Sequence, residues 1–316
     1  MEEMEDSFHV GVGKKTQTIL RGYIMKEFIE YLKKNKSASK NTLIAYERDI
    51  KAFEAFVRDT RGKSLDDCSD SDAVSYVLDL DKSNKSKSTI NRKVSALRTY
   101  YDYKISVGDV DSNPFTKIKT AKTEKRQIEY LSLSEVEQLV ALPDDTNKGK
   151  RDKALLEFMY GTGARVTEVV RLKLSDINIR MGFATLKDAG EVSRIVPLGR
   201  YARAALEEYL GTAHAKFLGH EPAENDYVFV NMRGEVLTRQ GIWKLLKDYG
   251  EMIGVADRMT PQILRDTYAV HILMNGGDLK TLQELMGFDD MSVGIAYLAV
   301  TEIHVREVFA RCHPRA

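Results

Sequence analysis

From Ile19 onward nearly every segment of the chain spaces its apolar residues three or four apart, and only residues 178–197 change that period. Side chains at three- and four-residue spacing share one side of an α-helix, whereas a strand face is shared by residues two apart. The pattern confines the chain to a mainly α fold with one small β element. Ile24, Phe28, Tyr31 and Leu32 mark a first helix, which the polar stretch KNKSASKN interrupts. Ser39 or Asn41 is placed to cap a second helix, whose stripe is Leu43, Ile44, Phe53, Phe56 and Val57 and whose end is Gly62. A third helix starts at Ser71 or Asp72 and runs through Leu80. A fourth starts at Ser86 or Ser88 and puts Ile90, Val94, Leu97 and Tyr101 on one face. These four predict an all-α domain over residues 19–106. Residues 1–18 carry Gly11 and Gly13 without periodicity and are expected to be a mobile arm.

Residues 107–126 contain Asn113-Pro114 and then the run KIKTAKTEKR, the composition of a linker. A second domain is expected over residues 127–316. It opens on a helix whose Ser132 and Glu135 have capping-box spacing. In RDKALLEFMYGTGARVTEVVRLKLSDI, Gly161 and Gly163 separate two further helices. Phe183, Thr185, Ile195 and Val196 then flank DAGE, which predicts a β-hairpin, and helical patterns return to the end.

Composition narrows the class. Apolar residues make up 43% and charged residues 30%, enough apolar material for two cores in a soluble chain of 316 residues. No apolar run reaches the roughly 20 residues of a membrane helix. The start, MEEMEDSF, is acidic and unlike a secretion signal, so a cytoplasmic protein without membrane attachment is expected. Cys68 and Cys312 are too few for a disulfide framework or a zinc site, and no metal or other cofactor is expected. The net charge of +1 announces no nucleic-acid partner. The segment from Lys82 to Lys104, however, has Asp102 as its only acid, and it reads either as a phosphate-contacting surface or as a solvated helix face.

Two stretches carry more than periodicity. GTGARVTEVVRLKLSDI and TPQILRDTYAVHILMNGGDLKTLQELMGFDDMSVGIAYLAV resemble, in order, the two conserved boxes of the tyrosine-type site-specific recombinases, the phage integrase family. LTRQGIWKLLKDYG, SKNTLIAYERDI and the terminal CHPRA are similar to members of the Xer kind. The resemblance runs from about residue 22 to 316. It implies a helical core-binding domain followed by an α+β catalytic domain, closing on double-stranded DNA as a C-shaped clamp. It implies that Tyr297 attacks a DNA phosphate to give a 3′-phosphotyrosine, and that Arg165 and Arg265 hold the non-bridging oxygens. Guanidinium suits that task because it stays charged and offers a planar fork of donors. Glu168, one turn beyond Arg165, either braces that guanidinium or is an ordinary exposed helix acid.

Three positions depart from the family pattern. The lysine that protonates the leaving oxygen falls on Ala189, and Lys187, two residues earlier, is the nearest substitute. The histidine three residues before the second arginine is Gln262, which donates a hydrogen bond but shuttles no proton near neutrality. The histidine or tryptophan after the glycine turn is Phe288. His271 lies six residues beyond Arg265 on another face and is expected to be structural. Two functions remain open at this point: a recombinase of reduced rate, or a DNA-binding accessory subunit that needs an active partner.

The resemblance also implies DNA contacts at Thr42, Tyr46, Arg48, Asn91, Arg92 and Arg98 in the first domain and at Arg239, Gln240 and Lys244 in the second. Most fit phosphates, while Arg92 suits guanine and Gln240 adenine. The expected site has inverted-repeat symmetry. The expected assembly is a homo-tetramer on two duplexes, or a hetero-tetramer with a related recombinase; the terminal helix, with Ile303, Val308 and Phe309 at helical spacing, either docks on a neighbouring protomer, as the resemblance implies, or packs on its own domain.

Overall fold

The computed structural model describes residues 25–35, 40–121, 127–188, 191–288 and 290–312. The expected arm, the helix start at Ile19, a cap at Ser39 and the position of Ala189 lie outside the described residues. The chain divides into two compact units, residues 1–125 and 126–316.

The first unit is helical: α1 (25–35), α2 (Lys40–Arg61), α3 (Asp70–Lys82) and α4 (Lys87–Ser106). Its core joins Phe28 and Leu32 of α1, Ile50, Phe53 and Val57 of α2, Tyr76 of α3 and Leu97 and Tyr101 of α4. Ile44, expected in the stripe of α2, is 48% exposed, and Ile50 fills the core instead. Residues 43 and 44 sit about 100° apart around a helix, so burying Leu43 turns its neighbour outward. Asn41 lies inside α2 and is not its cap. α3 starts earlier than expected, because the Asp72 carboxylate accepts from both the backbone N–H and the hydroxyl of Ser69, at 3.0 and 2.7 Å. Ser86 caps α4 by accepting the Thr89 N–H at 3.2 Å.

Linker composition conceals a packed segment. Phe115 is fully buried against Phe53 and Tyr101. Asn113 donates to the Arg98 carbonyl at 3.0 Å and to Asp102 at 2.7 Å, and accepts the Phe115 N–H at 2.9 Å. One aromatic anchor and one satisfied amide thus hold residues 113–118 on the first unit.

The second unit contains α5 (Leu133–Ala141), α6 (Asn147–Thr162), α7 (Val166–Arg171), β1 (Ile177–Asn178), β2 (Phe183–Asp188), β3 (Glu191–Pro197), α8 (Arg200–Tyr209), α9 (Ala215–Leu218), α10 (Arg239–Met252), α11 (Pro261–Met274), α12 (Leu279–Met286) and α13 (Met291–Cys312). The Ser132–Glu135 capping box opens α5. Gly161 belongs to α6, and it is Gly163, at φ +59°, that ends it. A side chain at Gly163 would also strike Tyr268, 2.5 Å from the Cβ position. The strands form an antiparallel sheet in the order β1-β2-β3, the hairpin that the change of period predicts. Ala184, Leu186 and Val196 point into a core shared with α6, α8, α10 and α11. A second cluster joins α11, α12 and α13 through Tyr268, Leu282, Met286 and Tyr297. The register pairs Leu186 with Arg194 and then Lys187 with Val192, so Ser193 is an extra residue on β3. Side chains of residues 301–309, with Ile303, Val308 and Phe309, lie outside the described ones.

Phe115→Ala should lower the stability of the first unit by about 3–5 kcal/mol, the range for emptying a buried aromatic site. Urea denaturation would read this as a lower midpoint, and an unchanged midpoint would return the segment to linker status.

Candidate active site

A helix leaves its last carbonyls without partners inside the helix. At the end of α12, where Gly287 turns the chain at φ +62°, three such carbonyls meet three arginines. The Leu285 oxygen accepts from Arg194 Nε at 2.6 Å, the Met286 oxygen from Arg265 Nη2 at 2.5 Å and the Gly287 oxygen from Arg165 Nη2 at 2.7 Å. Arg265 also donates to the Gly163 carbonyl. The glycine turn after α6 and the one after α12 are therefore tied together by one side chain.

The guanidinium groups come from separate elements. Arg165 precedes α7, Arg265 lies in α11 and Arg194 in β3. Glu168 of α7 draws two of them together. Its carboxylate accepts from Arg194 Nη1 and, at 3.0 Å, from Nη2. It also accepts from Arg165 Nη1 at 3.1 Å and from the Arg165 backbone N–H at 2.6 Å. The Glu168 side chain is fully buried. Burial pushes its carboxyl upward, but hydrogen bonds and charge from Arg194, followed by Arg165, outweigh this and hold it below the usual carboxylate range. Glu168 is thus the brace, not an exposed helix acid. Three guanidinium groups against two carboxylates, Glu168 and the neighbouring buried Asp266, leave a surplus of positive charge. Burial, then the like charges of Arg165 and Arg194, lower the Arg265 pKa to about 10, which still leaves it cationic at neutral pH. Arg165 keeps 35% of its side chain exposed, so the surplus charge has an opening toward an approaching anion.

Tyr297 of α13 reaches the same corner and is 5% exposed. Its hydroxyl donates to Asp266 Oδ1 at 2.7 Å, and Gln262 Nε2 donates to that same oxygen at 2.8 Å. Phe288 stacks on the Tyr297 ring, with centroids 5.9 Å apart and planes 19° apart. The Arg265 guanidinium carbon lies 5.7 Å from the Phe288 centroid. Arg165, Arg265, Gln262, Phe288 and Tyr297 thus meet around one turn. Lys187 does not join them: its ammonium is held by Asp176, and on β2 it alternates with Leu186, the residue paired to Arg194. His271 accepts or donates a hydrogen bond at Nδ1 with the Tyr160 hydroxyl, 2.9 Å away, and burial lowers its pKa.

Sequence reading missed two members of the cluster. Arg194 carries a detectable signal, a charged residue between Val192 and Val196 in a strand whose alternate positions are otherwise apolar. Asp266 carries only its spacing of four from Gln262, which is ordinary in any helix. Among the described residues no group of three His, Cys, Asp or Glu side chains is arranged to hold a metal, and no helix is long and apolar enough to cross a membrane.

The expected DNA contacts divide into engaged and open side chains. Arg98 donates to the Phe115 and Ile118 carbonyls, and Asn91 exchanges two hydrogen bonds with the Ala121 backbone. Both fasten the segment after α4. Arg92 pairs with the buried Asp49 yet keeps 44% of its side chain exposed. Arg48 is exposed on α2, while Thr42 and Tyr46 are half-buried. In the second unit Arg239, Gln240 and Lys244 are exposed in the opening turns of α10, whose first turn is capped by Thr238.

Residues 129–304 match the model of the phage integrase family, and residues 25–108 match the phage integrase N-terminal SAM-like domain. The tyrosine recombinase XerD of Listeria innocua is 37% identical over 295 residues, which cover 93% of this chain and 99% of that protein. A putative tyrosine recombinase, TTE1313, of Caldanaerobacter subterraneus is 37% identical with the same coverage. Among solved structures, the XerH site-specific recombinase bound to a palindromic difH substrate superposes with a TM-score of 0.69 at 17% identity, over 93% of this chain and 86% of that one. At that identity the likeness speaks for the fold.

Glu168→Gln should destabilise the second unit by about 3–5 kcal/mol, because it leaves a buried guanidinium without its counter-charge. Since the folded-state pKa of Glu168 is depressed, its contribution is present above the unfolded carboxylate value and is lost as pH falls through the folded one. The gap between the two proteins' denaturation curves should therefore hold from pH 7 down to the unfolded carboxylate value of about 4.3 and narrow only below it; a gap that stays constant down to about pH 2 would contradict the assignment.

Proposed function

The chain belongs to the phage integrase family of tyrosine recombinases, and from that premise we propose that it cuts and rejoins double-stranded DNA through a 3′-phosphotyrosine on Tyr297. The observation that carries the reading is the convergence of Tyr297, Arg165 and Arg265 on the turn after α12. Arg165 and Arg265 serve the two non-bridging oxygens, where charge develops as phosphorus gains a fifth oxygen. Donors fixed in advance in a water-poor site are worth more there than in water. Storing the bond energy in the phosphotyrosine lets a second strand's 5′ hydroxyl reverse the step without ATP or metal.

Arg239, Gln240 and Lys244 in the second unit and Arg48 and Arg92 in the first are the proposed DNA contacts, since they are the exposed members of the expected set, Arg92 through the 44% of its side chain left open beside its ion pair with Asp49. Phosphate contacts position the protein, and Arg92 and Gln240 are the base readers. Arg98 and Asn91 act by fixing the segment after α4. The proposed assembly is four subunits, alike or mixed with a related recombinase, on two duplexes in the cytoplasm.

A second reading has its own support. Lys187 is engaged with Asp176 and Gln262 with Asp266, so neither stands ready to protonate a leaving 5′ oxygen. On this reading the chain binds DNA and relies on an active partner subunit for cleavage.

A nicked suicide duplex carrying the site separates the two. A covalent adduct on a denaturing gel, lost in Tyr297→Phe and slowed about 10²–10³-fold in Arg165→Ala, supports strand transfer. DNA binding without an adduct, even beside a partner recombinase, supports the accessory subunit. Duplex affinity should fall steeply with salt, by about 0.9 log unit per log unit of salt for each phosphate neutralised. An affinity indifferent to salt would remove the proposed surface.

A further inference from the structure

A phenol must lose its proton to become a good nucleophile, and with an ordinary pKa near 10 only about one tyrosine in 10³ is ionised at neutral pH. The histidine of the family's second box is Gln262 here, and an amide accepts no proton at such pH. The oxygen nearest the task belongs to a different residue. Asp266 is 1% exposed, and its Oδ1 lies 2.7 Å from the Tyr297 hydroxyl, within proton-transfer reach. Gln262, one helical turn earlier, donates to the same oxygen at 2.8 Å and fixes its position. Phe288, stacked on the phenol ring, fixes the other side of the contact.

We propose that Asp266 is the catalytic base for Tyr297 during cleavage and the acid that returns the proton during rejoining. Gln262 is a positioning residue that acts through it. The inference rests on Tyr297 being the nucleophile. In cleavage the Oη–H bond breaks and the proton moves to Asp266 Oδ1. The electron pair left on Oη forms the bond to phosphorus. The P–O5′ bond breaks, its pair goes to the 5′ oxygen, and that oxygen takes a proton from water. In rejoining, a 5′ hydroxyl attacks phosphorus and gives its proton to water. The Oη–P pair returns to Oη, and Asp266 gives back the proton it held. The position three residues before Arg265 is thereby relieved of proton transfer, because the residue after Arg265 performs it.

The same contact admits an opposite role, a brake that holds the tyrosine away from DNA, and the two differ in sign. The test measures single-turnover adduct formation by the full chain on two suicide duplexes. One is ordinary, and the other carries sulfur in place of the bridging 5′ oxygen, so that its leaving group needs no proton. Asp266→Asn keeps the shape and removes the base. It should slow adduct formation about 10²–10⁴-fold on both duplexes, the usual contribution of a general base. A rate equal to or above that of the unsubstituted protein makes the contact a brake and overturns the proposal. Recovery on the sulfur duplex alone places the proton at the leaving oxygen and overturns it too. A native gel shift reports whether each variant still binds DNA. If Asp266→Asn does not, Asp266→Glu decides. Adduct formation within about tenfold of the unsubstituted rate agrees with a carboxylate base, and loss of the adduct with binding intact contradicts it. If the unsubstituted protein forms no adduct beside a partner recombinase, the strand-transfer reading itself fails and this inference with it.

Discussion

A single buried carboxylate organises the corner proposed as the active site. Glu168 binds Arg194 through both oxygens, and binds the side chain and backbone of Arg165. Without it, guanidinium groups from β3 and from the start of α7 would repel one another at the end of α12. With it, they are held as a pair, and Arg265 completes a row along the carbonyls of residues 285, 286 and 287. The arrangement does two things with the same atoms. It satisfies a helix end that lacks internal partners, and it leaves surplus positive charge beside the tyrosine. A residue that removed that surplus would also loosen the turn that positions Phe288 and α13.

The cost of such a corner is desolvation. Arg265 is 4% exposed, and burial with two neighbouring cations lowers its pKa to about 10. The charge is retained because guanidinium begins so high, which a lysine ammonium in the same place would not guarantee. The two glycine turns are part of the same construction. Gly163 adopts φ +59° and also has no room for a side chain beside Tyr268, so its carbonyl can be presented to Arg265 only by glycine.

Much of this was legible in the sequence where a local rule governs the outcome. Ser86, Ser132 and Gly62 set helix ends through backbone hydrogen bonds or left-handed φ, and those signals are local. The hairpin followed from a change of period. That Tyr297, Arg165 and Arg265 meet at one turn was legible only through the family's boxes, since nothing local marks an arginine that meets a distant tyrosine. The failures are tertiary. Ile44 and Ile50 are equally apolar, and only packing chose between them. Phe115 was hidden by polar neighbours, although one aromatic side chain suffices to anchor a segment. Arg194 and Asp266 are defined by partners 26 and 31 residues away, which spacing along one helix or strand does not encode.

The decisive property is the identity of the atom that becomes joined to DNA. Trypsin cuts after Lys280 and Arg306, and Tyr297 is the only tyrosine between them. The covalent adduct, formed on a nicked duplex with a partner recombinase present, should be digested with trypsin and nuclease and read by tandem mass spectrometry. The expected product is a nucleotide-bearing peptide of residues 281–306 with the added mass on Tyr297. Added mass on any other residue, or an adduct carried solely by the partner, would contradict that expectation.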